Sequence, residues 1–159
     1  MTLHGKLVLL IAITTCSASV FAQVAAPPAP PDLTALAVQA RLDLPFAAWC
    51  RGQFRPGHSR AFAAALSSTA DGGRYVVLER DGRVTELASF TGGADLSCYT
   101  RAEAQKLNGA IARSETIHGQ ITPRWRTTVV CAFIDATTAV CWQYSPADGG
   151  FVKVGGWVT

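Results

Sequence analysis

Residues 114–118 (SETIH) are the segment whose residue types come closest to those of a serine hydrolase, with a serine, an acid and a histidine within five positions. Catalysis of this kind needs a serine beside a base that an acid orients. So short a span seldom aligns the three groups, and no Gly-x-Ser-x-Gly motif is present. The segment therefore favours a structured loop, and we assign no catalytic residue.

Cysteine and metal chemistry are also weakly indicated. Cys98 precedes a predicted helix and Cys50 lies eight residues before His58, so either could be reactive if it were unpaired. Beyond residue 22 the histidines are His58 and His118, and neither has the spacing of a metal motif. We predict no metal ion and no cofactor.

Arginine clusters are the remaining lead. Arg124 and Arg126 flank Trp125, so in an extended segment they point to one side and the tryptophan to the other. A second basic stretch covers residues 51–60 and contains no acid. If the two converge they form an anion-binding surface, since arginine forks suit carboxylates and phosphates; the alternative is ordinary solvated arginine. The candidate binding residues are Arg124, Arg126, His118, Arg55 and His58.

Residues 1–22 have the features of a cleavable secretory signal peptide. Lys6 gives a positive start, residues 7–13 (LVLLIAI) form an apolar core, and Ala22 ends a small-residue cleavage site before Gln23. The apolar core is too short for a permanent membrane anchor. We therefore predict export, and no transmembrane segment after cleavage.

Export removes Cys16 and leaves four cysteines, an even number that predicts two disulfides. Residues 131–141 resemble a hairpin centred on Ala136, in which Cys131 and Cys141 face each other. Cys50 then pairs with Cys98 by elimination.

The remaining chain divides into a Pro/Ala-rich tether over residues 23–31 and one domain over residues 32–159. The whole chain carries a net charge of +3, which loss of Lys6 lowers to about +2. This balance predicts no nucleic-acid partner. The excess of arginine over lysine is typical of a GC-rich bacterial genome.

Periodicity predicts an N-terminal helix that Asp32 caps and that ends near Leu44–Pro45. Residues 60–68 favour a strand over a helix, and Asp81–Gly82 indicates a hairpin. Its expected register places four residues on one face: Val76, Leu78, Thr85 and Leu87. Its solvated end is expected to contain Glu79, Arg80, Arg83 and Glu86.

Thr100 and Glu103 form a capping-box pattern, which predicts a second helix that ends near Arg113. Residues 127–134 and 138–144 are apolar on both faces, as in a central hairpin, and residues 151–158 supply a last strand. The sum is an α+β domain with one antiparallel sheet of about five or six strands, an N-terminal helix and one helix packed on the sheet.

These patterns favour an exported, non-enzymatic binding or interaction protein of the periplasm or secretome, whose partner is a protein or envelope ligand that the sequence does not identify. The alternative is a small secreted or envelope hydrolase with a loop-assembled site near His118 or His58. A structural accessory subunit is a third option, and it would expose a contiguous apolar patch.

Overall fold

The computed structural model describes residues 28–43, 45–69 and 72–159. The predicted signal peptide, its predicted cleavage site and most of the predicted tether lie outside these residues. Two helices are present in the described ranges, α1 (Pro31–Gln39) and α2 (Arg101–Ile111). The strands are β1 (Phe46–Gly52), β2 (Ala61–Thr69), β3 (Gly72–Leu78), β4 (Val84–Thr91), β5 (Leu96–Tyr99), β6 (His118–Ile121), β7 (Val129–Phe133), β8 (Thr138–Ser145) and β9 (Gly150–Val158).

The strands form two antiparallel sheets. The first sheet is a meander in the order β1-β2-β3-β4, and the second has the order β5-β7-β8-β9-β6. Helix α2 connects β5 and β6, which lie at opposite edges of the second sheet. The expected single sheet of five or six strands is therefore wrong, although the α+β composition with two helices is confirmed.

The fold has four layers, namely α1, the first sheet, the second sheet and α2, and an apolar cluster lies between each layer and the next. The inner faces of the two sheets meet in the largest cluster, where Tyr75 and Val77 of the first sheet pack with Val130 and Trp142 of the second. Helix α1 buries Leu33 and Ala37 against the outer face of the first sheet. Helix α2 covers the outer face of the second sheet through a cluster that contains Ala104, Ile121, Val129 and Val154. Each sheet is thus covered on both sides.

Two disulfides link the chain, with the pairing that the sequence predicts. Cys131 and Cys141 are directly opposite each other on β7 and β8. Cys50 of β1 joins Cys98 of β5 and so connects the edge strands of the two sheets. The β7–β8 hairpin is buried on both faces, as predicted, because one face lies in the core between the sheets and the other lies under α2.

The capping box predicted at the start of the second helix is confirmed. The Thr100 side chain accepts a hydrogen bond from the Glu103 backbone, and the Glu103 side chain accepts one from the Thr100 backbone at 2.8 Å. The hydrogen bond from the Thr100 N–H is the main reason that the pKa of Glu103 lies below its ordinary value. The helix ends at Ile111, slightly before the predicted Arg113.

The first helix differs from the prediction at both ends. Its N-cap is Pro30, and Asp32 lies in the first turn, where its carboxylate accepts a hydrogen bond from the Leu33 N–H at 3.1 Å. The helix stops at Gln39 because Arg41 adopts a left-handed backbone conformation with φ of 55°. The predicted end at Leu44 is therefore wrong, and Leu44 itself lies outside the described ranges.

The β3–β4 hairpin forms around Asp81–Gly82, but its predicted register is wrong. Val76 is opposite Glu86 and Val77 is opposite Thr85, so Thr85 faces the core between the sheets. Val76 packs under α1 instead. The register is displaced by one residue at the turn itself, because Arg80, Asp81 and Gly82 separate Glu79 from its partner Arg83, one residue more than in the expected two-residue turn. Beyond the bulge at Leu87 the expected offset returns, with Tyr75 opposite Ala88.

Candidate functional site

A surface cavity of about 240 Å³ lies where the β1–β2 loop (residues 53–60) meets the β3–β4 turn (residues 79–83). Phe54 and Ala61 supply its apolar part, and both belong to the core between the sheets. Its polar lining consists of Arg55, His58, Ser59, Glu79, Arg80 and Asp81. This volume is below the range of about 300–1,000 Å³ that is usual for drug-sized ligands, so the cavity fits a small molecule or a single group of a larger one.

A buried ion pair forms one wall of the cavity. Arg55 Nε contacts Glu79 Oε1, and the two side chains are only 10% and 9% exposed. Glu79 Oε2 accepts no hydrogen bond from any described residue, and Arg83 Nε is 4.0 Å from it. A buried charge normally has its hydrogen-bonding positions filled. Glu79 therefore combines a paired charge with an acceptor atom that is not used.

Aromatic rings of the second sheet hold Arg55 in place. Its guanidinium lies 4.2 Å from the centre of the Tyr144 ring, and Nη1 donates a hydrogen bond to Tyr144 Oη at 3.0 Å. Tyr144 packs edge-on against Phe151, which packs against Phe54 in the same manner. The arginine is thus fixed by a cation–π contact and a hydrogen bond as well as by its carboxylate partner.

The β3–β4 turn has a fixed backbone. The Gly82 N–H donates to the Glu79 carbonyl at 3.0 Å, and Asp81 Oδ1 accepts from the Arg83 N–H at 3.1 Å. Gly82 has φ of 83°, a conformation that favours glycine. Arg80 Nε donates to the Arg60 carbonyl at 3.3 Å, which ties the turn to the start of β2. The cavity is therefore bounded by well-anchored chain on the turn side.

A second loop, the β6–β7 loop (residues 122–128), is held by one buried amide. Gln143 of β8 is 0% exposed, and its Oε1 accepts from the Arg124 and Trp125 N–H groups at 2.9 and 3.2 Å. Its Nε2 donates to the carbonyls of Trp125 and Thr127 at 3.0 and 2.9 Å. All four hydrogen-bonding positions of the amide are filled.

The two loops join at Gln53 and Thr128. The Gln53 N–H donates to Thr128 Oγ1 at 2.9 Å, and the Thr128 N–H donates to the Gln53 carbonyl at 2.8 Å. Gly52 permits this approach, because a Cβ atom there would lie 2.6 Å from Thr128 Cγ2. The segments that contain the two predicted basic stretches are therefore adjacent at this point.

Their charged groups nevertheless have different surroundings. Arg124 and Arg126 are exposed, as expected for displayed side chains, whereas Trp125 packs partly buried beside the cluster under α2. Arg55 is withdrawn into its pair with Glu79. Arg51 is paired with Asp32 at 2.6 Å on the side of α1. No ion pair or hydrogen bond joins the two basic stretches within the described ranges.

The histidines occupy different positions. His118 is exposed at the start of β6, and His58 is exposed beside the cavity, next to Ser59. Within the described ranges neither imidazole makes a hydrogen bond to a serine or a carboxylate. Ser114 uses its Oγ to accept from the backbone of Thr116 and Ile117, at 3.2 and 3.0 Å, which is the structured loop that the sequence favours.

Glu79 is the residue that sequence reasoning placed incorrectly. The expected position at the solvated end of the hairpin is wrong, because Glu79 is buried and paired with Arg55. Its neighbours Arg80 and Arg83 are exposed as expected. The available signal was the β1–β2 loop itself, where Arg55 follows the apolar Phe54 without an acid nearby in sequence.

Neither the chemistry of the described residues nor comparison with known proteins identifies the site. Among these residues no group of three histidine, cysteine, aspartate or glutamate side chains could hold a metal ion, and no helix has the length and apolar character to cross a membrane. The chain matches no protein-family model, no curated protein and no solved structure.

Proposed function

We propose that this chain is an exported, non-enzymatic binding protein of the periplasm or secretome, and that the cavity between the β1–β2 loop and the β3–β4 turn is its binding site. The observation that carries the proposal is the buried Arg55–Glu79 pair at the cavity wall. Apolar residues of similar volume often give equal or greater stability than a buried ion pair. A charged pair in the wall of a cavity is therefore better explained by recognition of a ligand than by a contribution to folding stability.

The two disulfides support the export part of the proposal, since such bonds persist in oxidising compartments. Mass spectrometry of the secreted or periplasmic protein is expected to find an N-terminus at Gln23 and both disulfides intact. Retention in the cytoplasm with residues 1–22 still attached would contradict export.

The binding part is tested by affinity capture with the oxidised mature protein, from the envelope of the producing cell and from its surroundings. Ser59→Trp fills the cavity with a large side chain, and Ser89→Trp is the matched control on the exposed surface of β4. We expect a partner that the wild type and Ser89→Trp recover and that Ser59→Trp does not. Recovery of no partner by the wild type, or equal recovery by Ser59→Trp, would contradict a binding role for this cavity.

No observation in the described ranges favours the hydrolase alternative, because neither His58 nor His118 has a bonded serine or carboxylate partner there.

A further inference from the structure

The outer face of the second sheet has an open part beside α2. The helix covers the sheet around Ile121, Val129 and Val154, and a surface cavity of about 150 Å³ lies next to this covered part. The side chains at its base, Ser97 and Cys131, are small and directly opposite each other on β5 and β7. They leave a depression between the larger side chains around them. Among the described residues, none of α2 lines this depression.

Aromatic side chains from three strands form the walls of this cavity. Tyr99 of β5, Phe133 of β7 and Trp157 of β9 line it, and each is half-buried. Ala139 lies between Phe133 and Trp157 in the register of the sheet, and the two rings meet across its small side chain at 5.9 Å and 86°. Phe133 belongs to none of the three apolar clusters of the described residues, so core packing does not account for its position.

Asp95 supplies the charge at the rim of the cavity. The Phe133 N–H donates to the Asp95 carbonyl at 3.1 Å, which continues the β5–β7 pairing and places Asp95 beside Phe133. Strand alternation directs the Asp95 side chain to the same face as Ser97. Asp95 is exposed, and its carboxylate makes no ion pair or hydrogen bond within the described ranges. The described lining therefore carries one negative charge and no cation.

This lining favours an organic cation. Aromatic rings attract cations through their π-electrons, and the carboxylate adds a charge of the opposite sign. A methylated ammonium group suits the site better than a primary ammonium group, because the primary group is strongly hydrated and loses more on leaving water. Aromatic rings beside a carboxylate hold quaternary ammonium groups in this way. A volume of about 150 Å³ accommodates a molecule of roughly the size of benzene, which limits the ligand to a small one.

We infer that this cavity binds a small trimethylammonium compound, with its cationic head against the aromatic rings and beside Asp95. The hydroxyl groups of Ser97 and Tyr99 are available to a polar group on the same ligand. The site shares no residue with the cavity at Arg55 and Glu79. The inference therefore goes beyond the proposed function and does not rest on it.

The test is isothermal titration calorimetry of the oxidised mature protein with choline. Two comparators isolate the charge and the methyl groups, namely the neutral alcohol in which carbon replaces the nitrogen of choline, and ethanolamine, which has a primary ammonium group. We expect choline to bind with a Kd of about 1 mM or lower, and at least about fivefold more tightly than either comparator. Absence of choline binding, or equal binding of the neutral alcohol or of ethanolamine, would overturn the inference.

Two variants locate the site. Asp95→Asn removes the charge and leaves the backbone hydrogen bond to Phe133 in place, and it should weaken choline binding at least about fivefold. Asp43→Asn is the matched control, at an exposed carboxylate between α1 and β1, and should leave the affinity unchanged. Phe133→Leu removes a ring but keeps an apolar side chain, and should also weaken binding at least about fivefold. Choline binding that neither Asp95→Asn nor Phe133→Leu weakens would overturn the assignment of this cavity.

A vesicle arm and one variant of the first cavity complete the test. Phosphatidylcholine vesicles present the same trimethylammonium group on a lipid, so binding to vesicles without binding of free choline would overturn the inference in favour of a membrane surface. Ser59→Trp should leave choline binding unchanged, because Ser59 belongs to the other cavity. If choline does not bind while partner capture depends on Ser59, this inference is overturned and the proposed function stands. If choline binds as expected and no partner is captured, the proposed function fails and this inference stands.

Discussion

The β1–β2 and β6–β7 loops meet at Gln53 and Thr128, yet they are held by opposite chemistry. The β6–β7 loop is held by a neutral amide, Gln143, with every hydrogen-bonding position filled. The β1–β2 loop is held by a charged pair, Arg55 and Glu79, that leaves one carboxylate oxygen unused.

The difference suggests a division of roles between the loops. A satisfied buried amide specifies one backbone conformation, and removing it leaves several partners unbonded. A buried ion pair is dispensable for stability when both partners are replaced together. We interpret the β6–β7 loop as structural and the β1–β2 loop as the part adapted to binding. Thr127 Oγ1, buried without a hydrogen bond in the described structure, is an imperfection of the structural loop.

The largest effect is expected when the amide of the structural loop is removed. Gln143→Leu leaves two N–H groups and two carbonyls without their partner, so we expect a loss of about 4 kcal/mol in the free energy of unfolding. Urea denaturation measures this change, with Gln120→Leu as the control at an exposed glutamine of β6. A loss below about 1 kcal/mol for Gln143→Leu would show that the amide does not organise the loop.

The charged pair should respond differently to single and to double replacement. Glu79→Met alone leaves Arg55 buried without its partner and should lower the free energy of unfolding by about 3 kcal/mol. Adding Arg55→Met should restore most of that loss, to within about 1 kcal/mol of the wild type. Denaturation of the wild type, both single variants and the double variant forms the cycle. If the double variant loses the sum of the two single losses in the free energy of unfolding, the charged pair is needed for folding, and the division into a structural and a binding loop is contradicted.

Tyr75, in the core between the two sheets, makes hydrogen bonds without a charged group and can be compared with the charged pair. Its hydroxyl donates to the Phe133 carbonyl at 2.8 Å and accepts from the Asp95 N–H at 3.2 Å. Tyr75→Phe should therefore cost about 1–2 kcal/mol near neutral pH.

The cost of Tyr75→Phe should shrink as the solution becomes alkaline. Burial is the main cause that raises the pKa of Tyr75 above 10.0. The unfolded chain then releases its proton at a lower pH than the folded protein, so stability falls as pH rises through this range. Denaturation at pH about 8 and about 10.5 should show the wild type losing part of its advantage over the variant. A constant difference between the two proteins would contradict the shifted pKa.

The smallest effect is expected at a surface pair. Arg74 and Glu86 are 3.4 Å apart with side chains 51% and 50% exposed. Arg74→Gln should change the free energy of unfolding by less than about 0.5 kcal/mol, because exposed ion pairs contribute little. A loss in the free energy of unfolding close to that of Glu79→Met would contradict burial as the reason why one ion pair matters more to stability than the other.

Local features of the fold could be predicted from sequence because their determinants lie close together in the chain. The capping box spans Thr100 and Glu103, and the hairpin that pairs Cys131 with Cys141 needs only its two flanking strands. The second disulfide followed by elimination, on the prediction that Cys16 is removed with a signal peptide. These predictions did not require knowledge of how distant segments pack.

The two-sheet arrangement could not be predicted in this way. Strands β5 and β6 have four residues each, too few for a pattern of alternating burial, and β1 (FAAWCRG) has no clear alternation. Their pairing depends on contacts between distant parts of the chain.

The residues of the cavity were anticipated only in part, since the candidate binding residues Arg55 and His58 line it whereas Glu79 was not among the candidates. Glu79 looks like a solvated hairpin residue until Arg55 is brought beside it, and Arg55 is itself held by Tyr144, which lies 89 positions away in the chain. The predicted binding residues Arg124, Arg126 and His118 are exposed, and their role stays a prediction.

Partner or ligand capture by the Arg55→Met, Glu79→Met double variant tests the central claim most directly. The claim is that this pair serves recognition at the cavity, whereas folding does not require it. We predict that the double variant stays folded and loses the partner or ligand that the wild type and Ser89→Trp retain. A folded double variant that binds as well as the wild type would contradict the claim.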